Sequence, residues 1–442
     1  MTALGIGFLL IAALVLLVLL GLQIAVALLA VGFVGVWIIR DNFELAMRLL
    51  SMSAYSGIAD YLFATIPLFV LMGLLVSVSN VGRDTFEVAE ALLRRIHGGL
   101  GVATVAANTV FAAVTGVSIA SAAVFTRVAV PEMARHGYRP AFSAGTVAGS
   151  SVLGMMIPPS LLLIVYGVLA EVSIGAMFVA GVIPGLMLAL GFVGVIVLLA
   201  IARPGFVFED AALARRRRLE PTAASLSAGE ILIKLVPIAL LVILVLGGLY
   251  GGFFTPTEAG GMGAFGALLI ALGRRRLDRG RMWQVLRQTG EVSVAILILL
   301  IAAGFYSRML STAGIPVAIG NLVRDSGLGP YGFLLLYVGI VLLMGMILDS
   351  TSILLIMVPI AAPIARSMGF DLVHFGIVTV LAVEIGLLTP PFGISVFTVH
   401  TTLADPDVSV ESIFLGTLPF MLVMLAVLIV VALVPGAALG LL

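Results

Sequence analysis

The chain has no cysteine, a single lysine, two tryptophans and four histidines among 442 residues. Each shortage removes a class of chemistry. Without cysteine there is neither a disulfide framework nor a thiolate metal site. The histidines (His97, His136, His374, His400) lie far apart in sequence and form no HExxH or comparable ligand pair, so no transition-metal site is expected. Lys234 follows Ile233, whereas a Walker phosphate-binding loop needs Gly-Lys. ATP hydrolysis by that route is excluded, and any pumping must draw on an ion gradient or on a separate subunit. Charge is scarce as well, at 10% of residues against about 25% in an ordinary globular chain.

What is present is apolar. Hydrophobic residues make up 62% of the chain, and runs of roughly 20, long enough to cross a bilayer, recur along its whole length. In lipid the backbone must satisfy itself within helices. No alternating ten-residue segments of the outer-membrane barrel type occur. The fold class expected is therefore an all-α polytopic membrane protein. The first basic residue is Arg40, so the apolar N-terminal stretch reads as a span rather than a signal peptide.

The sequence repeats itself weakly at an offset of 232. Gly82, Pro131 and Gly137 map onto Gly314, Pro363 and Gly369, and Ser118 maps onto Ser350. Gly154, Pro158 and Pro159 map onto Gly386, Pro390 and Pro391, a Pro-Pro pair with a glycine four residues upstream in both halves. Apolar stretches follow the same offset: 3–20, 24–39, 61–80, 99–126, 141–169 and 175–202, then 232–249, 258–272, 293–312, 331–362, 373–400 and 412–440. These predict a first repeat over 1–202, a cytoplasmic linker over 203–231 with the run Arg215 to Arg218, and a second repeat over 232–442.

Within each repeat the fourth stretch is interrupted by small polar residues, Thr115-Gly116-Val117-Ser118 in one and Asp349-Ser350-Thr351-Ser352 in the other. Such residues compete with helix for backbone partners. Each stretch (about 99–135 and 331–365) therefore reads as a hairpin that enters and leaves by one face. The fifth stretches (141–169 and 373–400) are broken by Pro-Pro, because proline removes a donor and clashes with the preceding turn. Five crossings plus one re-entrant hairpin per half place the second repeat upside down relative to the first. With the linker in the cytoplasm, 18 of the 23 basic residues fall on that side, as the positive-inside rule requires. Residues 84–97 carry Ala89, Leu92, Leu93 and Ile96 at helical spacing, which suits a helix lying in the interface; 315–326 occupy the matching place.

Inverted repeats with paired broken helices point to a transport site, since broken helices free carbonyls for a cation and N–H groups for an anion. Candidate Na⁺ ligands are Thr115, Gly116, Ser118, Ser121 and Gly154 in the first half, and Asp349, Thr351, Ser352, Gly386 and Thr389 in the second. Pro158, Pro159, Ser160, Pro390, Pro391 and Gly393 mark the helix breaks, where solute would lie. Glu384, inside a predicted span, is a possible ion or proton site or a helix-pairing glutamate. Glu258, after Thr255-Pro256-Thr257, reads as a helix start. The hairpin tip of each half is expected to meet the Pro-Pro break of the same half.

At these motifs the chain resembles the large membrane subunit of the TRAP (tripartite ATP-independent periplasmic) transporters. The matching stretches are Thr115 to Ala123, Gly137 to Gly167, Phe254-Thr255-Pro256-Thr257-Glu258-Ala259, Gly345 to Pro363, and His374-Phe375-Gly376 through Gly386-Leu387-Leu388-Thr389-Pro390-Pro391-Phe392-Gly393. The resemblance implies Na⁺ symport of organic acids such as dicarboxylates in the bacterial inner membrane, by an elevator-like motion of the hairpin domain. It implies no organic cofactor, Na⁺ as coupling ion, a small four-helix membrane subunit on a separate chain, and a periplasmic solute-binding protein. One departure stands out: many relatives carry an Asp at the first hairpin tip, and this chain has none there. Two other readings stay open from sequence. One is a stand-alone Na⁺- or H⁺-coupled anion carrier of related inverted-repeat fold, and the other a non-transporting membrane subunit of a larger complex. No paired catalytic residues appear in the spans, so an enzyme is not expected.

Overall fold

The computed structural model describes residues 2–93, 95–116, 118–210, 212 and 226–442. Arg215 to Arg218 lie outside them. The described residues are all-helical apart from one isolated bridge between Tyr138 and Phe208. The principal helices of the first half are α1 (Ala3–Leu19), α2 (Ile24–Arg40), α3 (Phe43–Ala59), α4 (Thr65–Val78), α5 (Val81–Leu93), α6 (Gly99–Thr115), α7 (Ser118–Arg135), α8 (Pro140–Ser151), α9 (Leu161–Leu169) and α10 (Ile174–Ala202). Those of the second are α11 (Ala228–Val242), α12 (Pro256–Gly273), α13 (Arg279–Ala313), α14 (Ile315–Asp325), α15 (Pro330–Gly345), α16 (Ser350–Ser367), α17 (Leu372–Gly386), α18 (Ile394–Leu403) and α19 (Val410–Leu433). Among the described residues six helices are long and apolar enough to cross a bilayer, and the pair across the first Pro-Pro break, bent by 44°, makes a seventh.

Helix boundaries recur at the offset of 232. Shifting Ser118–Arg135 by that amount gives 350–367, the bounds of α16; shifting Pro140–Ser151 gives 372–383, within α17. The packing is reciprocal too. The second segment of each broken helix lies on the second arm of the other half's hairpin: α9 on α16, and α18 on α7. Likewise α8 packs on α19 and α17 on α10, while α2 packs on α13 and α12 on α4. The halves thus interlock, and each supplies the other's core. This crossing of partners was not legible in the sequence.

Two segments differ from expectation. Residues 43–59 form α3, although no apolar stretch marks them; Asn42 caps its first turn through Leu45 N–H at 2.8 Å. In the second half, 279–291 continue straight into the span, so that α13 runs 35 residues from an Asp278 cap. The polar residues there sit on an exposed helix face rather than in a loop: Arg287 pairs with Glu291 one turn on, at 2.8 Å.

The amphipathic helix before the first hairpin covers 81–93, and it is tied down. Asp84 pairs with Arg274, the C-cap of α12, and Glu87 with both Lys234 of α11 and Arg83. Partial burial raises the Glu87 carboxyl, but the hydrogen bonds from Lys234 and Arg83 outweigh this and hold it below its ordinary value. At α12 Thr255 and Glu258 form a reciprocal capping box, with Thr255 N–H donating to Glu258 at 2.8 Å, so Glu258 starts a helix.

Candidate functional site

The first hairpin turns at Gly116, which closes α6 in the left-handed region with φ 63°. A side chain there would meet the Pro159 carbonyl oxygen at 2.6 Å, so only glycine permits the approach. Leu161 N–H, just past the first Pro-Pro break, donates to the Gly116 carbonyl at 3.2 Å. Tip and break of this half therefore touch, backbone to backbone. Thr115 donates to the Phe111 carbonyl within its own helix at 2.9 Å. Ser121 donates to Asn108 Oδ1 at 2.5 Å, and Asn108 Nδ2 donates to Ser150 at 2.6 Å, a buried clamp joining both arms to the broken helix. Ser160 donates to the Met155 carbonyl at 2.5 Å and accepts Leu163 N–H at 3.3 Å, spanning the break as the cap of α9. Gly154 is buried in the turn that precedes the cis Pro158–Pro159 bond.

The second tip is built differently. Asp349 is exposed and caps α16, accepting from Thr351 N–H at 3.1 Å, from Ser352 N–H at 3.2 Å and from the Ser352 hydroxyl. Its position at the break thus has a local structural reason. Gly345, at the end of the first arm, lies against Gly386: a side chain on Gly345 would fall 2.6 Å from Gly386 Cα. Here the contact reaches the helix just before the break rather than Pro390 and Pro391, which are cis-linked and exposed. Thr389 donates to the Ile385 carbonyl at 2.7 Å, and Gly393 caps α18.

Glu384 lies between the two tips. Its side chain is wholly buried; Oε2 accepts from Ser118 at 3.2 Å and Oε1 from Ser350 at 3.1 Å. Those serines occupy the same place in the repeat, the first residue of each second arm. The structure thus brings Ser118 to Glu384 and Gly116 to Pro159, whereas no hydrogen bond among the described residues joins Gly154 or Thr389 to a tip. Residue-by-residue reading passed over Asn108, Ser150 and Ser350. Asn108, the only amide within the stretch 99–126, carried a signal, and so did Ser350 as the repeat partner of Ser118. Ser150 had none.

Electrostatically the centre is one-sided. The Glu384 carboxyl meets the hydroxyls of Ser118 and Ser350 there, Asp349 stands exposed one residue before Ser350, and neither acid has a Lys, Arg or His partner among the described residues. Oxygen-only ligands with net negative charge suit a hard cation.

Comparison with known proteins agrees with this architecture. The family model described as "Tripartite ATP-independent periplasmic transporter, DctM component" matches residues 11–437. The large permease protein of the C4-dicarboxylate TRAP transporter of Pseudomonas aeruginosa is 34% identical over 397 residues, covering 90% of each chain. That of the ectoine TRAP transporter of Halomonas elongata is 31% identical, covering 94% of each. Among solved structures, the YdaH transporter of Alcanivorax borkumensis superposes with a TM-score of 0.54 over 88% of this chain and 89% of its own, at 15% identity, which is likeness of fold alone.

Proposed function

The chain belongs to the DctM family, the large permease component of tripartite ATP-independent periplasmic transporters, and from that premise we propose that it imports an organic acid by Na⁺ symport. It is a multi-pass protein of the inner membrane and a transporter subunit, not an enzyme. A periplasmic binding protein delivers the solute, and a small membrane subunit completes the complex. The two relatives above are named for C4-dicarboxylates and for ectoine, solutes that share a carboxylate.

One observation supports the reading: Ser118 and Ser350, one from each hairpin tip, converge on the buried Glu384 carboxyl, which has no cationic partner among the described residues. In this scheme Na⁺ binds at each tip. Thr115, Gly116, Ser118, Ser121 and Gly154 supply the first site, and Asp349, Thr351, Ser352, Gly386 and Thr389 the second. The solute carboxylate lies between them, at the N–H groups freed by the breaks at Pro158, Pro159 and Ser160 and at Pro390, Pro391 and Gly393. Binding seats the tips, and the hairpin body then moves against the packed helices α2, α4, α12 and α13.

The test is solute uptake into proteoliposomes holding this chain, its small subunit and its binding protein, with and without an inward Na⁺ gradient. Uptake that needs the gradient and both partners is expected, and Asp349→Ala should lower its dependence on Na⁺. Uptake by this chain alone, or driven equally by a proton gradient, would move it to the stand-alone carriers.

A further inference from the structure

Three side chains able to ligate a metal meet far from the tips, at the other end of the first hairpin's second arm. One ligand atom from each of Glu90 on α5, Glu132 on α7 and His136 just beyond α7 lies within 4.8 Å of the other two. Spacing in the sequence predicts no such site, because its ligands come from two helices. Glu132 and His136 stand one turn apart, and the packing of α5 on α7 brings Glu90 across to them. All three are half-buried, so the position is sheltered and still within reach of solvent. It lies on the linker side of the molecule: next to His136, the Gly137 carbonyl accepts Glu209 N–H at 2.9 Å.

These parts suit a divalent transition metal. Two carboxylates balance the charge of such an ion, and the imidazole nitrogen distinguishes the set from the all-oxygen ligands that Ca²⁺ and Mg²⁺ prefer. Zn²⁺ takes N and O ligands in tetrahedral geometry at about 2.1 Å, which sets ligand atoms about 3.4 Å apart. His136 Nδ1 and Glu132 Oε1 already stand at 3.4 Å. Arg135 pairs with the other Glu132 oxygen, Oε2, at 3.2 Å and leaves Oε1 to the cluster.

The competing account is a helix end. His136 Nδ1 lies 2.9 Å from the Glu132 carbonyl, and a ring there can cap the last turn of α7. The second repeat closes its matching end without any of the three. The corresponding positions are Leu322, Ile364 and Met368, and α16 still ends at the equivalent place. Capping alone therefore leaves the two acids unexplained.

We propose that Glu90, Glu132 and His136 form a binding site for a divalent transition metal of the Zn²⁺ class, which ties the second arm of the first hairpin to α5. Helix α5 is itself ion-paired to α11 and to Arg274 at the end of α12. A bound ion thus joins the first hairpin to those helices through one centre, and the second hairpin has no counterpart. The site stands apart from the transport reading, and its occupancy is read without transport.

Co²⁺, whose visible absorption reports its ligands, is titrated into the purified full-length chain carrying no histidine tag, and Zn²⁺ is then added to displace it. One equivalent of each per chain is expected. Glu90→Gln and His136→Gln should each weaken binding by more than the roughly tenfold that loss of an outer-shell partner costs. His97→Gln, exposed and outside the cluster, should bind as the native chain does. Glu90→Gln separates the two accounts, because it leaves the α7 end and its His136 cap in place; it also serves if His136→Gln does not fold. A native chain with no stoichiometric Co²⁺ or Zn²⁺ binding, or binding that survives both substitutions, overturns the site and leaves the helix-end account.

Discussion

The two hairpins share boundaries and sequence offset, yet they are secured in opposite ways. The first is pinned from within. Every residue of α6 is buried or half-buried, the Asn108–Ser121–Ser150 clamp ties both arms to α8, and the preceding α5 is anchored by Asp84 and Glu87 to α11 and α12. The second has none of these. The positions matching the clamp are Ile340, Ile353 and Ala382, and those matching Asp84 and Glu87 are Pro316 and Ile319. Its first arm presents Leu335, Leu336 and Leu343 outward, and it is seated through the opposite face, by the contact of Gly345 with Gly386, the Tyr337–Thr379 hydrogen bond and the rings of Phe333 and Tyr337 against Phe375. Two hairpins with matching bounds thus differ in the first arm, buried all round in one and exposed along one face in the other. Low local contact and exposed surface are where opening is easiest, so the second hairpin is the one expected to move first.

The largest break in this comparison is Gly345→Leu. The new side chain meets helix backbone rather than a flexible side chain, so overpacking should cost about 3 kcal/mol or more. Thermal unfolding in detergent should show a clear loss, whereas Gly339→Leu, with open space around it, should leave the midpoint nearly unchanged. Next is Asn108→Ala, which strands the Ser121 hydroxyl, leaves Ser150 only its 3.4 Å bond to the Val147 carbonyl, and should cost about 1–3 kcal/mol. Installing the second hairpin's own residues, Asn108→Ile with Ser121→Ile and Ser150→Ala, removes donor and acceptors together and should recover much of that loss. If the single and triple variants lose equally, the clamp is packing and not hydrogen bonding. The smallest effect is at Glu87→Gln, worth at most about 1 kcal/mol because the pair is partly exposed. Its native carboxyl titrates below the unfolded value, so its contribution is present above the unfolded value and fades as pH falls through the folded one. Glu87→Gln should therefore flatten the acid side of the stability profile.

Local chemistry was readable in the sequence. Gly-Val-Ser and Asp-Ser-Thr-Ser interrupt helices where α6 gives way to α7 and α15 to α16, and Thr255 with Glu258 announced a cap. What escaped were partnerships over distance. Ser118 and Glu384 stand 266 residues apart, and no local spacing encodes their meeting. Asp349 reads as a ligand because it is an acid at a break; an N-cap calls for the same residue at the same place, and the structure gives Asp349 that capping role as well. Helix α3 escaped for another reason: its polar residues pair along its own surface, as Arg48 does with Glu44 at 2.6 Å, so hydropathy alone left it unmarked.

The central claim is that Na⁺ seats both tips against their breaks. Because the chain has no cysteine, single-cysteine variants report without background. Ile119→Cys at the first tip and Phe392→Cys at the second break, both exposed in the structure, can be labelled with a soluble thiol reagent in native membranes. Labelling at both positions should slow when Na⁺ replaces choline, with K⁺ inert. Equal rates in all three ions at both positions would contradict the account.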